Sequence, residues 1–371
     1  MKQIIAFTAV LFVFAIFHNA SSNDIKGTWM SKPNDRDGKI DMTLEMDGEG
    51  TWISSFDISP GEFEGLTEKT MSTSTEDVDF SLHREAGTIL FHGKFRDGRG
   101  SGFFTFQRND DYARSLVKLG LTWPDGGQEF SLAIHGIGIS YIKQLVDLRY
   151  THLSYDDIIS MAIHGVTPEY ITGMNKAGYK SLSVDDLVSM KIHDVTLQFV
   201  ADIGRYWNSP VTADDLVSLR IHGATSAYIL DLSDLGYAHL SPDEIVSMLI
   251  HDITIDRIKE LGSLGYTNLS SDDLVSMAIH GVNKEYLQAL SELGYHQLSP
   301  DDLVSMRIHG VTPDYIKGMK DLKVENLSAD DLVSMNIHNV TVSWVKHLED
   351  HGYSHLTADR LVDMRIHGSD D

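Results

Sequence analysis

The chain has 371 residues, of which 54 are acidic, 30 basic and none cysteine, giving a formal charge of −24. That length allows two or more domains. The charge argues against nucleic-acid and anionic-membrane partners, which need a basic surface. The missing cysteines exclude disulfides and an N-terminal lipidated cysteine, so stability must come from packing alone.

Residues 1–22 read as a secretory signal. Lys2 supplies the positive charge, Ile4–Phe17 the apolar run, and Ala20-Ser21-Ser22 the small residues for cleavage. The run is short for a membrane span, and no other comparable run follows. The expectation is an exported protein of the periplasm or exterior, with no stable membrane span after cleavage.

Residues 23–106 carry strand signals. Ile40, Met42, Leu44 and Met46 alternate with polar residues, as do Trp52, Ser54, Phe56 and Ile58, then Val78, Phe80 and Leu82. Asp37-Gly38, Asp47-Gly48 and Asp97-Gly98 supply hairpin turns. The pattern predicts a meander of about six antiparallel strands in a small sandwich or partial barrel, with residues 59–76 as a Ser/Thr/Glu-rich loop.

The rest is periodic. Nine Ile-His pairs, with histidines at His135, His164, His193, His222, His251, His280, His309, His338 and His367, stand 29 residues apart without a slip. A fixed period of this length marks a repeat array, in which neighbours stack to bury faces that no single unit can cover. Eight units span 135–371, and residues 107–134 align as a degenerate first repeat, with Tyr112 under Tyr141 and Leu116 under Leu145. The expected fold class is therefore α+β, a small antiparallel β domain followed by an α-solenoid of two-helix repeats.

Within one unit, Thr167 is placed to cap an A helix bearing Tyr170, Ile171 and Met174, and Ser183 to cap a B helix through an S-x-x-D box closed by Asp186. Leu187, Val188, Met190 and Ile192 are expected to point inward. The residue after each histidine is always Gly, Asp or Asn, the types that best accept the left-handed conformation ending a helix.

Several repeated polar positions invite a chemical reading. Asp185, Ser189 and His193 share one helix face, but the same stripe recurs along the array, and one straight helix strings its members apart where a catalytic triad converges. No catalytic residue is expected. The histidines form a ladder that suggests a metal or pH role, yet equivalent positions in stacked repeats stand about 10 Å apart, too far to share one ion. The column Tyr141, Tyr170, Phe199, Tyr228, Tyr286, Tyr315 and Trp344, interrupted by Arg257, reads as core. Positions that vary between repeats are the binding candidates: Lys191, Arg220, Arg307 and Arg365 on B helices, and Lys143, Lys259, Lys317 and Lys346 on A helices.

The unit D-D-L-V-S-M-R-I-H-G-V-T-P-D-Y-I at 301–316 resembles a repeat of uncharacterised exported bacterial proteins, and is similar to repeats appended to some β-lactam-response sensor (antirepressor) metallopeptidases. The resemblance covers 107–371, and the segment F-R-D-G-R-G-S-G-F-F-T-F at 95–106 is similar to the domain preceding such repeats. It implies a bacterial envelope setting. The peptidase motif is absent, so no catalytic role carries over. The sequence thus favours a non-enzymatic, cofactor-free scaffold that binds another protein. The alternative is an envelope sensor holding a ligand or metal through the β domain or the histidine ladder.

Overall fold

The computed structural model describes residues 24–34, 38–47, 52–73, 77–204, 206–207, 211–325 and 327–368. Residues 1–22, expected to be a secretory signal, lie outside them, as do Asp37 and Gly48 of two expected turns. The described chain forms two compact units, one of residues 24–176 with 183–191, the other of 177–182 with 192–368.

The first unit begins with strands β1 (Ile25–Pro33), β2 (Ile40–Met46), β3 (Trp52–Ile58), β4 (Val78–Arg84), β5 (Gly87–Arg96) and β6 (Arg99–Arg108). All six join in one antiparallel sheet ordered β3-β2-β1-β6-β5-β4. The arrangement is thus a single curled sheet, as in a partial barrel, rather than two facing sheets. The curl is visible in the side chains: Trp29 of β1 meets Phe80 of β4, three strands away, at a ring separation of 5.2 Å. The simple meander is corrected, because β3 and β4 are not neighbours and β6 returns to pair with β1.

Alternation on the strands buries Trp29, Met42, Leu44, Phe80, Leu82, Phe91 and Phe104 on one face. Trp29 lies on a floor of glycines. A Cβ on Gly93 or Gly100 would come within 2.7 Å of its ring, and the indole N–H donates to the His92 carbonyl at 3.2 Å. Phe80 and Phe91, paired across β4 and β5, stack at 4.7 Å.

The segment expected to be a loop is partly structured. Ser59 and Glu62 form a capping box around a 3-10 turn at Pro60–Glu62, and a short helix, α1 (Glu68–Thr73), follows. Phe63, Leu66 and Met71 of this connection are buried, and Phe63 packs edge-on against Phe80 and Phe91. These three apolar residues at irregular spacing carry no period that marks them as core covering.

Beyond the sheet come nine helix pairs among the described residues, from Asp110–Lys118 and Gly126–Ile134 to Val342–Asp350 and Ala358–His367. Most helices have nine residues, short for an isolated helix, and their ends are held by side chains. Thr196, Thr225, Thr254, Thr312 and Thr341 cap A helices, each accepting from the N–H three residues on. Ser154, Thr212, Ser241, Ser270, Ser299 and Ser328 form capping boxes on B helices. All nine residues after the histidines have positive φ, from 54° at Asp252 to 85° at Gly368. Leu187 and Met190 are fully buried, as are Leu303 and Met306 at the same positions. Within the second unit, successive B helices pack on one another from Ala213–Ile221 to Ala358–His367.

The first repeat is fused to the sheet. Phe130 stacks on Phe104 at 5.1 Å and meets Phe106 at the same distance. Beneath it Glu129 is fully buried and accepts from Arg108 Nε at 2.7 Å and from the Asn109 main-chain N–H at 3.2 Å.

Candidate functional site

The aromatic column is buried or half-buried, and it also carries a hydrogen-bond ladder. The hydroxyls of Tyr112, Tyr141, Tyr228, Tyr286 and Tyr315 each donate to a carbonyl 25 residues on, at Ile137, Val166, Ile253, Val311 and Val340, over 2.6–3.0 Å. Each acceptor lies in the turn after a B helix, so the hydroxyl satisfies a carbonyl that no helix bond reaches. Where Arg257 replaces tyrosine, its Nη2 donates to the equivalent Val282 carbonyl at 3.0 Å. Where Phe199 lacks a hydroxyl, Arg220 Nη1 donates to the Ala224 carbonyl at 3.0 Å. Burial pushes the Tyr286 and Tyr315 hydroxyls up to about 12, which keeps them protonated donors.

The candidate cations on B helices turn toward this column. Lys191 sits 5.0 Å from the Tyr170 ring centre, Arg220 5.1 Å from Phe199, Arg307 4.9 Å from Tyr286 and Arg365 4.2 Å from Trp344. Arg220 also pairs with Asp194 at 2.7 Å, and Arg307 Nε donates to the His280 carbonyl at 3.1 Å. These side chains bind the protein to itself through cation–π contacts and helix-end bonds. On the A helices, Lys143 and Lys317 form i,i+4 pairs with Asp147 and Asp321, while Lys259 and Lys346 are exposed. The structure therefore does not gather the eight candidate cations into one site.

The histidines occupy the helix ends. His164, His222 and His309 are exposed, and His222 Nδ1 lies 2.9 Å from the Ser218 carbonyl one turn back. His135, at the sheet junction, is half-buried, and desolvation lowers its pKa. Among the described residues no three His, Asp or Glu side chains converge as metal ligands. No hydrogen bond joins the carboxylate, hydroxyl and ring of the Asp-Ser-His stripes among the described residues. On the sheet, Ser81 Oγ, Glu64 and His83 cluster, but serine and carboxylate both meet His83 Nε2 at 3.0 Å. A relay needs them on opposite ring nitrogens.

One surface differs from the sequence expectation. Ile192, expected inside, is exposed, and so is every equivalent: Ile163, Ile192, Ile221, Ile250, Ile279, Ile308, Ile337 and Ile366 are 52–55 % exposed. The reason is helical geometry. Two residues past the buried Met190, the side chain has turned about 200° and faces out. Seven residues before each stands an aspartate, as at Asp214 and Ile221, Asp243 and Ile250, or Asp272 and Ile279, which shares its helix face and is also exposed. The successive B helices of the second unit therefore carry an apolar line and an acidic line side by side. A-helix surfaces do not repeat this way. A cavity of 280 Å³ bordered by Leu121, Ile142, Val146 and Leu153 has its repeat equivalent bordered by Tyr266, Leu287, Ser291 and the polar Gln288.

No helix among the described residues is long and apolar enough to cross a membrane. Compared with models of known families and with curated proteins, the chain matches none.

Proposed function

We propose that this protein is an exported, non-enzymatic repeat scaffold that binds another protein, in a bacterial envelope setting. The observation that carries the reading is the face just described: six successive B helices of the second unit present the same exposed Ile with the same exposed Asp, although neither residue is needed for the core. Internal caps, rings and cations vary and compensate for one another, whereas this outward pattern is kept. A regularly spaced surface suits an extended macromolecular partner better than a small molecule, which fills one concave pocket. Export is supported by Lys2 and the apolar run Ile4–Phe17. The bacterial setting is supported by the likeness of residues 301–316 to exported bacterial repeats.

The test is affinity capture by the immobilised mature chain from an envelope extract of its source cell. One or a few proteins should be retained at near-stoichiometric level. Failure to retain any protein, with tight stoichiometric zinc uptake by calorimetry, would replace the scaffold by the sensor.

A further inference from the structure

We infer that the B-helix face of the second unit docks a polypeptide segment that combines apolar side chains with lysine or arginine. The inference rests on the scaffold reading and names the surface and the chemistry of its partner. Three observations lead to it.

First, the apolar line is left open by the chain itself. Ile221 to Ile366 recur at 29-residue intervals on B helices that pack in succession, each more than half exposed. A single exposed apolar residue is ordinary on a protein surface, but the same residue at the same outward position on six successive packed helices is not scattered at random.

Second, the first repeat has the same helix face covered. Ile134, the equivalent of Ile221, is only 4 % exposed. There the sheet lies on the helix: Phe104 and Phe106 cover Phe130, a Cβ on Gly126 would stand 3.0 Å from Ile25, and the Arg84 side chain lies over Gly136. The acidic line is missing from this helix alone, with Gly127 where the others have Asp. Exposed Ile and exposed Asp thus come and go together. What covers this face in the first repeat is extended polypeptide bearing apolar side chains.

Third, charge selects the partner. From Asp214 to Asp330 the outward aspartates are not balanced by the nearby B-helix cations, because Arg220 is held by Asp194 and the Phe199 ring, and Arg307 by the His280 carbonyl and the Tyr286 ring. With a chain charge of −24 behind it, the face attracts cations and repels acidic segments.

The test titrates the full mature chain with three fluorescein-labelled peptides of equal length, alternating Lys-Leu, Lys-Ser and Glu-Leu, followed by anisotropy at ~0.15 M salt. Lys-Leu should bind at least about tenfold tighter than either control, since it alone supplies both features. Ile250→Ser, Ile279→Ser and Ile308→Ser together should remove that tenfold advantage while leaving Lys-Ser binding unchanged. Asp243→Asn, Asp272→Asn and Asp301→Asn together should weaken both lysine peptides. All six sites are exposed, and unchanged circular dichroism and melting would confirm the fold. Equal affinity for Lys-Leu and Lys-Ser, or a serine variant that binds like the wild type, overturns the inference. So does dimerisation of the wild type that the serine variant abolishes, which would make a second copy the occupant. If envelope capture retains the same partner on wild type and serine variant, this face is wrong while the scaffold stands. If neither retains a protein, the scaffold itself falls.

Discussion

Glu85, at the turn between β4 and β5, accepts the main-chain N–H of Ile139 through Oε2 at 2.9 Å. Ile139 opens the A helix whose N-cap is Gly138, with no capping side chain of its own. The sheet therefore supplies to this helix what Thr or Asn supplies to the others. A Cβ at Gly138 would stand 2.6 Å from Glu85 Oε1 and would push this exposed carboxylate off the Ile139 N–H. Gly138→Thr should change stability by no more than about 1 kcal/mol, because it displaces the Glu85 carboxylate while bringing a cap of its own. The same substitution in a Glu85→Ala background should recover about 1 kcal/mol, because threonine then supplies the missing cap. Denaturant unfolding of the four proteins in this cycle gives the coupling. An equal effect of Gly138→Thr in both backgrounds would reject the account.

The tyrosine ladder makes a graded prediction. Tyr286→Phe removes one buried hydrogen bond to the Val311 carbonyl and should cost about 0.5–1.5 kcal/mol. Arg257→Tyr should cost less than about 0.5 kcal/mol, because a tyrosine hydroxyl serves the equivalent carbonyl in other repeats. Arg220→Ala should cost more than Tyr286→Phe, since it loses the Ala224 carbonyl bond, the Asp194 pair and the Phe199 ring contact together. Urea midpoints at constant slope decide the order. If Tyr286→Phe is neutral and Arg257→Tyr is costly, the ladder is incidental.

Much of this was legible because the period repeats each signal. One Gly after one histidine is weak, but nine Gly, Asp or Asn residues fix nine left-handed turns. The same holds for caps such as Thr312 and Ser299. Strand alternation gave the sheet, but not its order, since the return of β6 to β1 is a tertiary choice that no local pattern encodes. The site was less legible. Lys191, Arg220, Arg307 and Arg365 were singled out for varying, yet their heads lie on rings twenty-one residues earlier, a contact visible only once helices stack. Hydrophobicity alone points Ile192 inward, whereas a strict 3.6-residue count from Leu187 and Met190 puts it outside.

The junction between sheet and first repeat should be the most sensitive place for a charge deletion. Glu129 is buried and pairs with Arg108, which also donates to the Pro124 carbonyl at 2.9 Å. Desolvation raises the Glu129 pKa, while Arg108 opposes that shift. Glu129→Ala leaves the Arg108 charge unpaired and its Nε without an acceptor, while the Asn109 N–H keeps the Ala86 carbonyl. It should cost about 3–5 kcal/mol. Replacing both partners, Arg108→Met with Glu129→Leu, should be far milder. Thermal melts of both variants test this, and a double variant as damaged as Glu129→Ala would show that packing, not the ion pair, sets the cost.

His135 yields the pH prediction. Burial at the sheet junction lowers its pKa, so the native state keeps the ring neutral where the unfolded chain takes a proton at about 6.5. Below that pH the unfolded state binds more protons, and stability falls as the solution is acidified. The contribution is intact above about pH 6.5 and is lost progressively as pH drops from there toward the lowered native value. His135→Gln removes this one titration and leaves the other histidines in place. The stability difference between wild type and variant should therefore be constant above about pH 7 and move against the wild type between about pH 6.5 and 5, by at most ~1.4 kcal/mol per unit of pKa lowering. Unfolding free energies at four pH values suffice. Parallel curves for the two proteins across that window would mean that His135 titrates alike in both states and that its burial has no energetic consequence.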